Sequence, residues 1–284
     1  MRMGLSTPVV VQVPGAASAW ERDATVDDIV RIAAVADELG FDHLTCSEHV
    51  AVPADEADAR GATYWDPLAT LAFLAAHTTR IRLVTSVVVL GYHHPLAIAK
   101  RYGTLDTLSG GRLVLGVGVG SLAAEFDLLG APWSDRGARA DDAIRALRAS
   151  LSQRQPRYDG EYLQFDSMIV DPCAVQPRVP IWVGGRTRRS LRRAVELADG
   201  WMPFGLRRDD LSRLLAEMEL PRGFDVVLAT RPLDPLENPD LAADQLRKLA
   251  RLGATAVSCS VSATSADHYR EQLAALHELG RDIG

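Results

Sequence analysis

The chain has 284 residues, of which 47% are hydrophobic and 24% are charged, and its formal net charge is -6. This composition is typical of a globular protein with one large core, and α/β barrels of about 250 residues form a single domain. The mild acidic excess and the lack of a long basic run argue against nucleic acid or an anionic membrane as the main partner.

Cysteine use and the N-terminus bear on the compartment. Cys46, Cys173 and Cys259 are far apart and odd in number, which fits a reducing environment rather than a disulfide framework or a zinc knuckle. The opening stretch MRMGLSTPVVVQVPG holds too short an apolar run for a signal peptide, and no later stretch is long enough to span a membrane. We therefore expect a cytoplasmic protein with a small-molecule substrate.

Short β-branched runs alternate with longer amphipathic segments along the whole chain. Runs this apolar, without strict alternation of polar residues, indicate parallel strands that are covered on both faces. The predicted strands are Pro8–Val13, His43–Ser47, Arg82–Val89, Arg112–Gly118, Pro180–Gly185, Gly200–Phe204, Asp225–Thr230 and Ala256–Val261.

Helical patterns lie between the strands. Thr25 and Asp28 stand in capping-box positions of a helix that ends at Gly40. Pro67 and Pro95 each suit the first position of a further helix. The remaining helices are predicted over Arg139–Ser152, Arg188–Ala198, Asp209–Glu219, Asp240–Leu252 and Ala266–Leu279.

Eight strands, each followed by a helix and with no linker-like tract, predict a single (β/α)₈ TIM barrel over residues 1–284. A doubly wound open sheet would show the same alternation. Pro156–Pro172 breaks the rhythm and predicts a hairpin around Asp159 and Gly160, inserted before the fifth strand. We expect this hairpin to lie over the barrel mouth or at a subunit contact.

The stretch GRLVLGVGVGS, Gly111–Ser121, places Gly116, Gly118 and Gly120 at the end of the fourth strand. We call these three residues the glycine ladder. Functional loops of a barrel begin at that end. The spacing departs from the dinucleotide fingerprint, which has a third glycine three residues after the second, and no acidic residue about twenty positions on is placed to hold a ribose. Glycine inside a strand marks a close backbone approach, either tight barrel packing or room for a planar ring.

The segment from Leu105 to Gly130 resembles the pattern LD-LSGGR-x-x-LGVG-G-x-x-x-EF-x-x-x-G of the bacterial-luciferase-like monooxygenase superfamily. The text IRLVTSVVV before it and the segment Pro177–Trp201 after it fit the same family in order and spacing. Within the family, the branch that uses coenzyme F420 is the most similar. The resemblance implies a TIM barrel that binds F420, with FMN as the alternative cofactor, and a homodimer.

The text CSEHV puts Glu48 and His49 at the end of the second strand. A histidine there is either a hydrogen-bonded structural residue or an acid, base or donor in a cleft. The resemblance implies that His49 faces the reactive ring, as a proton donor or a polariser of substrate. Glu48 is then expected to orient His49 or to bond to backbone.

The resemblance also implies a non-proline cis peptide bond between Ser86 and Val87, which forms a bulge behind the central ring of the cofactor. The residues alone show only an ordinary core strand. Gly184, Gly185, Arg186 and Thr187 stand between a strand and a helix, where free N–H groups and the helix dipole favour a phosphate. The alternative is a glycine turn before a solvated, arginine-rich helix face.

Two further features limit the function. Sugar-phosphate dehydrogenases of the F420 branch carry a glutamate directly after the glycine ladder, and this chain has Ser121 there, which argues against that activity. Glu125 belongs to the family's EF pair, and we expect it to be structural. Tyr92 and His93, in the text YHHP, lack the spacing of a metal site, so we predict no metal and expect one of them to line the pocket.

These features predict an oxidoreductase that transfers hydride between F420 and an unidentified organic substrate, with His49 assisting. We expect Gly116, Gly118 and Gly120 to let the cofactor ring lie against bare backbone, and the Gly184–Thr187 turn to hold its phosphate. Two alternatives stay open: an FMN-dependent monooxygenase on the same fold, and a flavin-binding protein without catalytic activity.

Overall fold

A computed structural model describes residues 1–281, and in it eight parallel strands close into a barrel. Each strand pairs with the next along the chain, and the eighth pairs with the first. The barrel strands are β1 (Arg2–Ser6), β2 (His43–Cys46), β3 (Arg82–Thr85), β4 (Leu113–Gly118), β5 (Ile181–Gly184), β6 (Gly200–Met202), β7 (Asp225–Ala229) and β8 (Ala256–Cys259). The TIM barrel is confirmed, and the open-sheet alternative is wrong.

The helices that follow the strands form the outer ring. They are α1 (Val26–Leu39), α2 (Pro67–Ala75), α3 (Pro95–Leu108), α4 (Arg136–Ser150), α5 (Arg188–Leu197), α6 (Arg208–Ala216), α7 (Pro239–Arg251) and α8 (Ala266–Arg281). The loops hold the short helices Ala57–Arg60 and Ala123–Leu128 and the 3₁₀ turns Ala19–Arg22 and Leu90–Tyr92.

The predicted helix starts follow from local chemistry. The Thr25 hydroxyl accepts a hydrogen bond from the Asp28 N–H at 3.3 Å, and the Asp28 carboxylate accepts from the Thr25 N–H at 2.8 Å. This capping box pairs groups that the first helical turn would otherwise leave unbonded. Asp66 caps α2 with a single bond, in which its carboxylate accepts from the Ala69 N–H at 2.7 Å, and Pro67 lies in the first turn.

The first predicted strand is wrong. The barrel begins with Arg2–Ser6, and of Pro8–Val13 only Val11 and Gln12 are extended, in a short antiparallel pair with Thr63–Tyr64. Val9 and Val10 are nevertheless buried in the core. The apolar run therefore marks burial of a loop, and burial alone does not distinguish a loop from a strand.

The third predicted strand is interrupted. β3 ends at Thr85, and a second short strand, Val88–Val89, pairs with the end of β4. The peptide bond between Ser86 and Val87 is cis, as the family resemblance predicts. The chain therefore bulges at the mouth of the barrel between these two strands.

The predicted hairpin is present, with Tyr158–Asp159 paired antiparallel to Gln164–Phe165. Of its two expected positions, the barrel mouth is not the one observed, and a subunit contact stays a prediction. Asp142 on α4 accepts hydrogen bonds from the N–H groups of Tyr162 and Leu163 at 2.9 and 3.0 Å, so the hairpin packs against α4. Within residues 1–281 it contributes nothing to the lining of the cleft at the mouth, and the expectation that it covers the mouth is wrong.

Two apolar layers support the mouth. One lies between the strands and the helices. The other fills the barrel interior with Val84, Val114, Trp182, Met202, Val227 and Ala256. No helix among residues 1–281 is long and apolar enough to cross a membrane.

Candidate functional site

The carboxyl ends of the strands enclose a cleft of about 490 Å³. This volume lies in the range of roughly 300–1,000 Å³ that small-molecule sites occupy. Every strand contributes a lining residue from its last two positions or from the residue just after it: Ser6, Thr45, Ser86, Gly118, Gly184, Met202, Ala229 and Ser258. Active sites of TIM barrels lie at this face, which makes the cleft the candidate site.

His49 lies in the loop after β2 and lines the cleft. Its Nδ1 is 2.6 Å from a carboxylate oxygen of Glu125, and the edge of its ring packs against Tyr64, with ring centroids 4.5 Å apart. The His49 side chain keeps 19% of its surface exposed, whereas that of Glu125 keeps 1%. The imidazole is thus held from behind while its other edge stays accessible from the cleft.

The Glu125 carboxylate is the centre of this part of the site. Besides His49 it accepts hydrogen bonds from the N–H groups of Val50 and Ala51, at 2.6 and 3.2 Å, and from the hydroxyl of Tyr92 at 2.9 Å. Burial, followed by the bond to Glu125, raises the pKa of Tyr92, so its phenol stays protonated and donates. A buried carboxylate with this many donors is fixed in place, and it fixes the His49 ring.

Glu48 does not contact His49 through a hydrogen bond. Its carboxylate accepts from the Val89 N–H at 2.6 Å and lies 2.7 Å from Nε2 of His93. Of the two roles expected for Glu48, bonding to backbone is the one observed. It anchors the short strand after the cis bulge and lines the cleft at the same time.

The three ladder glycines serve different purposes. Gly116 is buried and does not line the cleft, and a Cβ there would lie 1.8 Å from the carbonyl oxygen of Thr85. Tight packing of β3 on β4 therefore requires Gly116, which corrects the expectation that it borders a ring. Gly120, with φ of +80°, turns the chain into the next loop, where a Cβ would strike Phe126 at 2.4 Å.

Gly118 borders the cleft together with Gly184. A Cβ at either position would lie within 2.8 Å of a methyl group of Val87, which is presented by the cis bulge. The wall of the cleft at this point is therefore the Val87 side chain, with bare backbone on both sides of it. The glycines make room for the bulge, and contact of a flat ring with this wall stays a prediction.

The predicted phosphate turn follows β5. Gly184 and Gly185 line the cleft, and Gly185 has φ of +140° with no room for a Cβ beside Ser190. The Thr187 hydroxyl accepts from the Ser190 N–H at 3.2 Å and so caps α5. Arg186 is exposed, and no ion pair joins it to another of residues 1–281.

The arginines of α5 divide into two groups. Arg188 and Arg192 lie near Glu217 and Glu196, and Arg193 is buried, where it bonds to Asp141 on α4. These contacts agree with the alternative of a structural or solvated helix face. Arg186 and Arg189 form no ion pair in the described part of the chain and keep their charge available for an anion.

The family model for luciferase-like monooxygenases matches residues 1–277. The chain belongs to this luciferase-like family. An uncharacterized protein of Mycobacterium tuberculosis is 33% identical over 261 residues, 86% of this chain and 91% of that protein. The F420-dependent glucose-6-phosphate dehydrogenase of Nakamurella multipartita is 30% identical over 180 residues, 62% of this chain and 51% of that enzyme. The crystal structure of the monooxygenase RslO1 from Streptomyces bottropensis superposes with a TM-score of 0.76 at 22% identity, covering 98% of each chain.

This luciferase-like protein also contains site residues that the sequence did not indicate as functional. Glu125 was expected to be structural, yet it holds His49; its place in the EF pair was the available signal. Tyr64 and Arg60, from the loop after β2, line the cleft without any motif. Among residues 1–281, no three His, Cys, Asp or Glu side chains converge to hold a metal ion.

Proposed function

We propose that this luciferase-like protein is an F420-dependent oxidoreductase that transfers hydride between F420 and a small organic molecule. The observation that carries the proposal is His49, which is fixed through Nδ1 by buried Glu125 in a cleft lined by all eight strands. Acid–base groups that serve catalysis are held in this way, with one nitrogen oriented and the other directed to the reacting atoms.

The residues at the mouth fit a flat cofactor with an anionic tail. Val87, between Gly118 and Gly184, offers an apolar wall for the ring. Gly185 leads from that wall to the N-terminus of α5. There Arg186 has no ion-pair partner among residues 1–281, and its guanidinium lies 6.0 Å from the centre of the Phe204 ring. When bound, the deazaflavin would supply a ring carbon that accepts or releases a hydride.

His49 supplies the proton transfer that hydride transfer requires. When an alcohol carbon loses a hydride, the hydroxyl proton must also leave, and in the reverse direction a proton must be delivered to the carbonyl oxygen. Because Nδ1 of His49 is engaged in the hydrogen bond to the Glu125 carboxylate, the Nε2 atom is the one available for this exchange. His49 thus holds or moves one proton at Nε2 for each hydride transferred.

F420 is favoured over FMN by charge. Arg186 and Arg189 add two side-chain cations to the N–H groups at the N-terminus of α5, and this spread of donors suits a phosphate followed by a longer acidic tail. The likeness to an F420-dependent dehydrogenase supports the same cofactor. Membership of the luciferase-like monooxygenase family favours the second candidate function, FMN-dependent monooxygenation. Exposed Ser121, in place of the dehydrogenase glutamate, keeps a flavin-binding protein without catalysis as the third.

A titration of the purified protein with F420 and with FMN, followed by cofactor fluorescence, tests the proposal. We expect F420 to bind more tightly. Arg186→Ala should weaken F420 binding about two- to fivefold, since an exposed charge contributes up to about 1 kcal/mol. The control is Arg222→Ala, an exposed arginine at the opposite end of the barrel. Tight FMN binding with no F420 binding would overturn the choice of cofactor.

A further inference from the structure

Ser258, the residue that β8 contributes to the cleft, is bonded to a histidine that no solvent reaches. Ser258 Oγ lies 2.8 Å from Nε2 of His43, the first residue of β2, which has no exposed surface. The imidazole fits because Gly4 has no side chain, and a Cβ there would lie 2.3 Å from the ring. Trp182 packs edge-on against the same ring, with centroids 5.6 Å apart. A polar group is thus built into the barrel interior directly under the cleft.

A carboxylate stands behind the imidazole. His43 Nδ1 is 2.7 Å from Asp42, which also accepts from Arg82 and has Arg2 at 3.6 Å. Burial by itself would raise the pKa of Asp42, but the bonds to His43 and Arg82 outweigh it and lower the pKa to about 2. An ionised carboxylate only accepts hydrogen bonds, so Nδ1 of His43 carries the ring proton.

The protonation of His43 decides the direction of the next hydrogen bond. Burial lowers the pKa of His43 and outweighs the attraction of Asp42, and the charges of Arg82 and Arg2 lower it further. The neutral ring, protonated on Nδ1, has only a lone pair on Nε2. The Ser258 hydroxyl must therefore donate its one proton to Nε2, which leaves it able only to accept on its remaining side.

We propose that Ser258 is a binding residue of the cleft that accepts a hydrogen bond from an N–H or O–H group of the ligand, and that His43 and Asp42 are positioning residues that fix this polarity. A ligand that placed a carbonyl or carboxylate there would set two acceptors against each other. The donor has two possible sources: the imide N–H of a flavin-type cofactor ring, or a hydroxyl of the substrate. The inference rests on the proposed function only in taking the cleft as the ligand site.

The tautomer of His43 can be observed without any ligand. In protein labelled with ¹⁵N-histidine, the ring of His43 should show a protonated Nδ1 and an unprotonated Nε2 at neutral pH, and the spectrum of His43→Gln identifies its signals. A proton on Nε2 at neutral pH would overturn the proposal. Neither result depends on whether the protein turns over a substrate.

Ligand pairs that differ only in the donor test the binding role. We compare the affinities of F420 and N3-methyl-F420 for the wild-type protein, for Ser258→Ala, and for the control Ser260→Ala. If the donor belongs to the cofactor, Ser258→Ala should weaken the binding of F420 about two- to tenfold, since a hydrogen bond contributes about 0.5–1.5 kcal/mol, and leave the affinity for N3-methyl-F420 unchanged.

If the donor belongs to the substrate, F420 should bind with equal affinity to all three proteins. In cofactor-loaded protein, Ser258→Ala should then weaken the binding of cyclohexanol and leave the binding of cyclohexanone unchanged, as measured by ligand-observed NMR. The absence of a donor-specific loss in both pairs would overturn the proposal.

Asp42→Asn tests the positioning role directly. Its amide can donate to Nδ1 of His43, which moves the ring proton to Nε2 and turns Ser258 into a donor towards the cleft. One of the two ligand pairs shows a loss of affinity in Ser258→Ala. In Asp42→Asn, the member of that pair without the donor should bind more tightly than the member that carries it. If Asp42→Asn folds and still prefers the ligand with the donor, the role of Asp42 is contradicted. If Asp42→Asn does not fold, Ser258→Ala still tests the binding role of Ser258.

Discussion

Strand β2 has one histidine at its first residue and another three residues past its end, and both are paired with a carboxylate through Nδ1. The distances are similar, 2.6 Å for His49 and Glu125 and 2.7 Å for His43 and Asp42. The pairs differ in what the second ring nitrogen meets. In His43 it bonds to Ser258 inside the barrel, whereas in His49 it has no hydrogen-bond partner among residues 1–281 and the ring lines the cleft.

The comparison teaches that the histidine–carboxylate pair alone does not define a catalytic group. In both places the carboxylate fixes the tautomer and the ring orientation. His43 is enclosed on every side, so its hydrogen bonds contribute to the stability of the fold. His49 has an open side, so its second ring nitrogen is available for catalysis. Substitutions at the two histidines should therefore affect different properties, catalysis at one end and stability at the other.

The largest expected effect belongs to His49. For a small molecule that the wild-type protein converts with F420, His49→Asn should lower the turnover rate by about 10²–10⁴-fold, the usual contribution of a positioned acid or base. Its thermal unfolding should stay near that of the wild type, because the ring is partly exposed. Rate and melting temperature are measured together, with the exposed His77→Asn as the control. A His49→Asn protein of normal rate would show that the mouth histidine is structural.

Glu125→Gln should have the next largest effect, since it weakens the hydrogen bond to Nδ1 of His49 without removing it. Turnover should fall about 10- to 100-fold, because a charge-assisted hydrogen bond contributes about 1.5–3 kcal/mol. Asp142→Asn is the matched control, since Asp142 is also a buried carboxylate with a tyrosine and backbone donors, but away from the cleft. Equal loss of activity in the two variants would assign the effect of Glu125 to general loss of structure.

The fold follows from the sequence wherever local chemistry decides it. Capping groups at Thr25 and Asp66 and the first-turn prolines give the helix starts, and the alternation of segments gives the barrel. The error at Pro8–Val13 has a physical cause, because a buried loop and a buried strand need the same apolar residues. Arg2–Ser6 becomes a strand through pairing with β8, some 250 residues away, which no local pattern records.

The site is predictable only in part for the same reason. His49 is found from its motif after β2, but its partner Glu125 lies 76 residues further on and carries an ordinary EF signature. His43 and Ser258 are 215 residues apart, and nothing near either one indicates the pair. The space beside Gly118 and Gly184 is equally invisible in sequence, because it is defined by Val87 in the bulge after β3.

The smallest expected effect is a pH dependence of stability that should distinguish the two histidines. Burial lowers the pKa of His43, so below its ordinary value of 6.5 the unfolded chain binds a proton that the folded protein excludes. The free energy of unfolding should then fall as the pH falls from about 6.5, by up to about 1.4 kcal/mol per pH unit. Urea unfolding of His43→Gln should lack this slope, and His49→Asn should retain it. Glu21, whose pKa burial raises, acts in the opposite direction but equally in all three proteins, so it cancels in the difference. Equal slopes in His43→Gln and the wild type would mean that His43 is protonated in the folded state, and the contrast between the two ends of β2 would be lost.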